Sequence, residues 1–308
     1  MNTRITSGMV RRHVLSDLNA VSAKLTKSQM KAASGKEITR PSDDPFDASR
    51  AMALRQTLAA TKQYQRNAQD AVGWQEATEQ ALGQITDAVH RARELLVQGA
   101  TGSTDDTSRE AIAIELEQLI DGIKQNANAT YRGEHVFAGS ETSSPPYLQG
   151  PGDNYLGDEA GLNPLVPGVL RELGPGVTLS INTVGREFLG DGQSGDDGKL
   201  LDVLRDTVAH LRTGDTDALR GTDLDRLDDN LESLLEVRAR NGARSNRLDS
   251  ALSRLAEVEE ATIRQLSETE DADIAETLIE LNSQQAAYQA ALRSGAALTQ
   301  SSLMDFLR

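Results

Sequence analysis

The sequence predicts a mainly α protein: a long, coiled-coil-like helical bundle built from paired N- and C-terminal segments, with a smaller β-rich insert domain. Three observations predict it. Apolar residues recur at alternating four- and three-residue spacing near both ends of the chain, as in a coiled-coil seam. A helical pattern runs from Pro45 to Gly99 without a further proline. Six of the eight prolines fall between Tyr131 and Lys199, a stretch that cannot be one long helix. The expected domains are 1–40 with 271–308 (an inner helical pair), 41–135 with 200–270 (the long bundle) and 136–199 (the insert).

In the first segment Val14, Leu18, Val21, Leu25, Ser28 and Ala32 form one stripe. Such a stripe cannot be buried by its own helix and needs a partner. The stretch ASGKEITRPSDDPFDASRAMALRQ then interrupts the helix. Pro41 disfavours helix at Arg40, Asp43 or Asp44 can cap the next helix, and Pro45 suits its first turn. Pro41, Asp43, Asp44 and Pro45 are therefore the expected structural joint.

The next helix places Leu54, Leu58, Ala68, Val72, Leu82, Val89 and Leu96 on one face and Trp74, Ala81, Ile85, Ala92 and Leu95 on a second. A capping box at Thr107 and Glu110 is expected to open a shorter helix with Ile112, Leu116, Leu119 and Ile123 on one side. In the Pro/Gly-rich insert the clearest strand is GVTLSINTV, where Val177, Leu179 and Ile181 alternate.

Helical spacing resumes at Leu200, Leu204, Val208 and Leu211, and again from Leu227 to Leu266. Asn241-Gly242 interrupts this last series with a turn dipeptide. The heptad register nevertheless continues through Leu234, Arg238, Asn241, Ser245 and Leu248, which favours one continuous helix. The final stripe is Ile274, Leu278, Leu281, Gln285, Tyr288, Leu292 and Phe306.

Charge links the two ends. The chain carries a net charge of -15, which argues against nucleic-acid binding, since that needs a basic footprint. Residues 1–40 oppose the trend, with eight Lys/Arg against two acids, while residues 268–308 hold seven acids against two arginines. The terminal stripes are thus expected to pair, completing that pairing when the chain joins a larger array. No segment has the apolar run of a membrane span or of a secretory signal, so any route out of the cytoplasm would be another one.

No motif points to catalysis, a cofactor or a metal. His13, His90, His135 and His210 are scattered, without the convergence that a metal needs. The loop GDGQSGDDGKLLD, residues 190–202, fails the EF-hand pattern at its sixth and twelfth positions, Asp196 and Asp202 counted from Asp191. The acid runs TDLDRLDDNLE and SETEDADIAE read as solvated helix faces and starts.

Three stretches together carry a resemblance: ITRPSDDPFDASRAMALR near the N-terminus, VRARNGARSNRLDSALSRL, and DADIAETLIELNSQQAAYQAALRSGAALTQSSLMDFL at the end. In order and position they resemble the flagellin superfamily of bacteria. Pro41-Ser42-Asp43-Asp44-Pro45 and Leu303-Met304-Asp305-Phe306-Leu307 are similar to its hook-filament junction branch more than to its filament subunits. The resemblance implies a structural, non-enzymatic role in the flagellum, export through the flagellar type III apparatus, and no cofactor. Implied partners are other copies of the chain in a ring, the first hook-associated protein, flagellin and an export chaperone. The implied assembly interface is Val14, Leu18, Val21, Leu25, Ile274, Leu278, Leu281, Tyr288, Leu292 and Phe306. A filament flagellin and a soluble helical signalling rod are the alternatives.

Overall fold

The computed structural model describes residues 7–101, 105–150, 152–162, 168–192 and 195–306; on the two terminal helices it describes the side chains of Met9, residues 12–34 and residues 274–296. Its elements are α1 (Ser7–Ser34), α2 (Pro45–Gly99), α3 (Asp106–Ala127), β1 (Thr130–Tyr131), β2 (Glu134–His135), β3 (Leu170–Gly174), β4 (Val177–Ser180), α4 (Arg186–Leu189), α5 (Leu200–Thr213), α6 (Thr216–Ala218), a π-helical turn (Leu219–Asp223), α7 (Leu224–Glu270) and α8 (Ile274–Phe306). The chain divides into two compact units, Met1–Ala60 with Val258–Arg308 and Thr61–Glu257. Both α2 and α7 contribute residues to each.

In the first unit α1 and α8 pack on one another. They run antiparallel: Gly35 lies beside Ile274, while Val14 and Leu18 lie beside Gly295. Helix α2 opens on Asp44, whose Oδ1 accepts the N–H groups of Phe46 and Asp47 at 2.9 and 3.1 Å. Pro45 takes the first helical position, where a missing N–H leaves nothing unpaired. Helix α8 opens the same way, with Asp273 Oδ1 accepting from Ala275 and Glu276 at 2.8 and 3.2 Å.

The second unit has one apolar core. Leu82, Ile85, Val89 and Leu96 of α2 meet Leu116, Ile120 and Ile123 of α3, Leu200, Leu204 and Leu211 of α5, and Leu227, Leu234 and Leu248 of α7. The insert adds Val136, Phe137, Tyr147, Ile181 and Phe188 to the same core, with Phe137 and Phe188 edge to face at 5.7 Å. Aromatic pairs prefer this geometry because ring edges are positive and faces negative. Helix α7 passes through Asn241-Gly242 unbroken, as the heptad register predicts. Asn241 is buried there and donates from Nδ2 to the Gln75 carbonyl at 3.2 Å.

Two local features differ from expectation. The cap of α3 falls two residues before the expected capping box: Asp105 accepts the Ser108 N–H at 3.2 Å, Thr107 sits inside the first turn, and Glu110 faces Arg212 at 3.3 Å. A carboxylate placed just ahead of the turn reaches those free N–H groups before Thr107 can. The insert also holds little strand among its described residues. Hairpin β3–β4 pairs Leu170 with Ser180 and Arg171 with Leu179, with an irregularity between Glu172 and Gly174. The strand ends at Ser180, although Ile181 still donates its N–H to Val169 at 2.9 Å. In the tight β1–β2 turn Arg132 (φ 52°) and Gly133 (φ 87°) are both left-handed, as the two-residue turn that matches strand twist requires.

Candidate interaction surface

Two interruptions of helix, residues 35–44 and 271–273, meet inside the first unit. Gly35 adopts φ 69° and ends α1, its N–H bonding the Lys31 carbonyl at 2.9 Å; the left-handed conformation at a helix end favours glycine. Main-chain bonds then tie the two breaks together, Glu37 N–H to Glu270 O at 2.8 Å and Ala272 N–H to Gly35 O at 2.9 Å. The Glu270 side chain is only 6% exposed and is neutralised twice, by Lys36 Nζ at 2.5 Å and by Arg55. A buried carboxylate without such partners would be costly.

The proline corner divides its two acids between two tasks. Asp44 caps α2, whereas Asp43 fixes the turn itself, accepting the Lys27 ammonium at 3.1 Å, the Thr39 hydroxyl at 3.1 Å and the Arg40 N–H at 3.0 Å. The Lys27 bond first, and the Thr39 bond second, hold the Asp43 carboxyl below the usual carboxylate range. Pro41 precedes Asp43 in this turn, and Pro45 starts the helix. Sequence reasoning reached these four residues and missed Lys36, Arg55 and Glu270. Their pairings span 234 and 215 residues, and no local spacing announces them.

The terminal stripes are placed differently on the two helices. On α1 Val14, Leu18, Val21 and Leu25 are half-buried, as are Ser22, Met30, Lys31 and Ala32, and Ser28 is buried. On α8 the buried or half-buried positions are Thr277, Leu281, Gln284, Tyr288, Ala291 and Gly295, also at four-three spacing. This is a different register from the stripe read in the sequence, and the two share Leu281 and Tyr288. Ile274, Leu278 and Leu292 lie on the flank, 51%, 48% and 46% exposed; Ile279 is more exposed still. The side chain of Phe306 lies outside those described.

Small residues set the register at its C-terminal end, at Ala291 and Gly295. A Cβ built on Gly295 would lie 3.3 Å from Val14 Cγ1 and 3.6 Å from Leu18 Cδ1, so the backbones approach where Gly and Ala let them. Ile274, Leu278, Ile279 and Leu292 are turned outward, while Leu281 and Tyr288 stay in the packed row. Fully burying one such Ile or Leu side chain is worth about 1.5–3 kcal/mol, a gain that these exposed residues do not make within the chain.

The features with chemical overtones are wired internally. His210 Nδ1 lies 2.7 Å from Asp223 Oδ2, and His135 Nδ1 2.9 Å from the Asn128 carbonyl; His13 and His90 are exposed. In the acidic glycine loop Asp197 accepts the N–H groups of Asp191 and Lys199, both at 3.0 Å, and Asp202 accepts that of Gly198 at 3.1 Å. Among the described residues no three His, Asp or Glu side chains converge as metal ligands. No described helix is long and apolar enough to cross a membrane.

Comparison with known proteins agrees with this architecture. The bacterial flagellin N-terminal helical region matches residues 5–142, and the bacterial flagellin C-terminal helical region matches residues 224–307. Flagellar hook-associated protein 3 of Escherichia coli is 30% identical over 84% of this chain and 86% of its own length. The protein of the same name from Salmonella typhimurium is 26% identical over 94% and 95%. A putative flagellar hook-associated protein from Vibrio parahaemolyticus has the same fold, with a TM-score of 0.62 at 21% identity, covering 74% of this chain and all of the other.

Proposed function

Because the chain belongs to the bacterial flagellin family, as a relative of hook-associated protein 3, we propose that it is a structural subunit of the flagellum stationed between hook and filament. The observation that carries this reading is the 30% identity to a hook-associated protein across most of both chains. A match of that extent takes in the insert-bearing middle as well as the helical ends.

In this reading copies of the chain form a ring, with the first hook-associated protein on one side and flagellin on the other. An export chaperone binds the C-terminal region before the subunit leaves through the flagellar type III apparatus. The exposed Ile274, Leu278, Ile279 and Leu292 of α8 supply apolar surface for neighbouring subunits, and the joint of Pro41, Asp43, Asp44 and Pro45 sets the bend between helices. The subunit acts by shape and adhesion and needs no bound cofactor.

Deleting the gene and imaging cells and culture medium by electron microscopy tests the reading. Hooks without filaments, with flagellin monomer shed into the medium, are expected. Filaments still attached to normal hooks would overturn the junction role and leave a redundant filament subunit as the better account.

A further inference from the structure

Arg240 and Arg244 stand one turn apart on α7, and both line a cavity of about 30 Å³ that Asn182, Thr183 and Glu187 help to close. The two guanidinium groups are treated differently. Arg240 Nη2 donates to Glu187 Oε1. Arg244 Nη1 donates only to neutral oxygens, the Asn182 carbonyl at 2.9 Å and the Thr183 hydroxyl at 3.3 Å. Among the described residues no carboxylate is within ion-pair distance of it.

This is an unusual way to leave a guanidinium. Arginine stays charged in a protein and does not escape burial by losing its proton. Burial first, and the neighbouring Arg240 charge second, make the charged form of Arg244 less favourable than usual, with Glu187 opposing them. The pocket therefore holds two positive groups against one carboxylate, in a chain whose net charge is -15. A water needs about 10–15 Å³ of such space, so the cavity has room for a group of carboxylate size.

We propose that this cavity is a carboxylate-binding site, in which the free donors of Arg244 hold one oxygen-bearing fork and Arg240 supports it from the adjacent turn. The carboxylate comes either from an acidic side chain of another copy of this chain or from a small free acid. A guanidinium fork matches a carboxylate in geometry as well as charge, and both sources present that same group.

The test uses the full chain labelled with ¹⁵N-arginine and follows the Nε–H resonances. Titration with sodium acetate, against sodium chloride at equal ionic strength, is expected to give a saturable shift of the Arg244 resonance with acetate alone. Glu187→Gln, which removes the internal competitor without changing side-chain size, is expected to tighten acetate binding by about threefold, as for a partly exposed ion pair. Arg244→Lys is expected to abolish the acetate response of Arg240. A shift that chloride reproduces, a response that never saturates, or weaker binding in Glu187→Gln would overturn the site. Dilution without acetate separates the sources. A concentration-dependent Arg244 shift that added acetate suppresses assigns the carboxylate to a second copy, and a concentration-independent resonance that still saturates with acetate assigns it to a small acid.

Discussion

At the scale of single residues the most constrained charge is the Lys124 ammonium, whose side chain is 0% exposed. It donates to the carbonyls of Gly150 and Gly152 and to Asp153 Oδ1 at 3.0 Å, while Arg205 bridges both oxygens of the same carboxylate at 2.7 and 3.0 Å. Burial pushes the Asp153 carboxyl up, but Arg205 and Lys124 outweigh it and hold it below the usual range. A carboxyl depressed in the folded state contributes stability above its unfolded pKa, about 3.9, and loses that contribution as pH falls through its lower folded value. Asp153→Asn is expected to cost about 3–5 kcal/mol at neutral pH, because it takes the shared carboxylate from two cations and leaves Lys124 only Asp121, at 3.7 Å, as an acidic partner. It should also flatten the loss of stability as the pH falls below the unfolded value of about 3.9. Denaturant unfolding followed through the emission of Trp74, the single tryptophan and a fully buried one, measures both effects.

At the scale of elements, α1 and α8 show what periodicity reveals and what it hides. The α1 stripe is legible because Val14, Leu18, Val21 and Leu25, which lead to the buried Ser28, are large apolar residues at four-three spacing. The α8 register is not, because its packed positions are Thr277, Leu281, Gln284, Tyr288, Ala291 and Gly295, and the strongest apolar signal comes from residues turned outward. Hydrophobicity reports how much a side chain gains from burial in anything, whereas close helix approach selects for small size. Gly295→Val is therefore expected to push α1 from α8 and cost about 1–3 kcal/mol, as overpacking does, with faster amide exchange in residues 12–32. Gly83→Ala, where an added Cβ meets nothing within 4 Å, should instead stabilise the second unit by about 0.5–1 kcal/mol. Equal effects of the two in denaturant unfolding would refute the steric account.

At the scale of the whole molecule, helix order, the long α2, the unbroken α7 and the place of the corner are all legible in the sequence. The way the insert joins the fold is not. Its prolines and glycines mark irregular chain, but nothing local shows that Val136, Phe137, Tyr147 and Phe188 enter the same core as the helices; a few scattered aromatics have no period to read. The partly exposed apolar residues of α8 belong to this scale too, since their use depends on other subunits. Leu292→Asp is expected to leave the circular dichroism and melting of the isolated chain unchanged while abolishing its incorporation and the motility of cells carrying it. Normal swimming on soft agar would count against α8 as an assembly surface.

The clasp between residues 35–37 and 270–272 also bears on time. Its partners are 234 residues apart, against 102 for the Arg212–Glu110 pair that joins α5 to α3, and the entropic cost of closing a loop grows with its length. Once Thr61–Glu257 has collapsed onto its own core, the remaining loop is effectively short. This favours an order in which the first unit closes after the second, its two ends meeting once the intervening chain has folded.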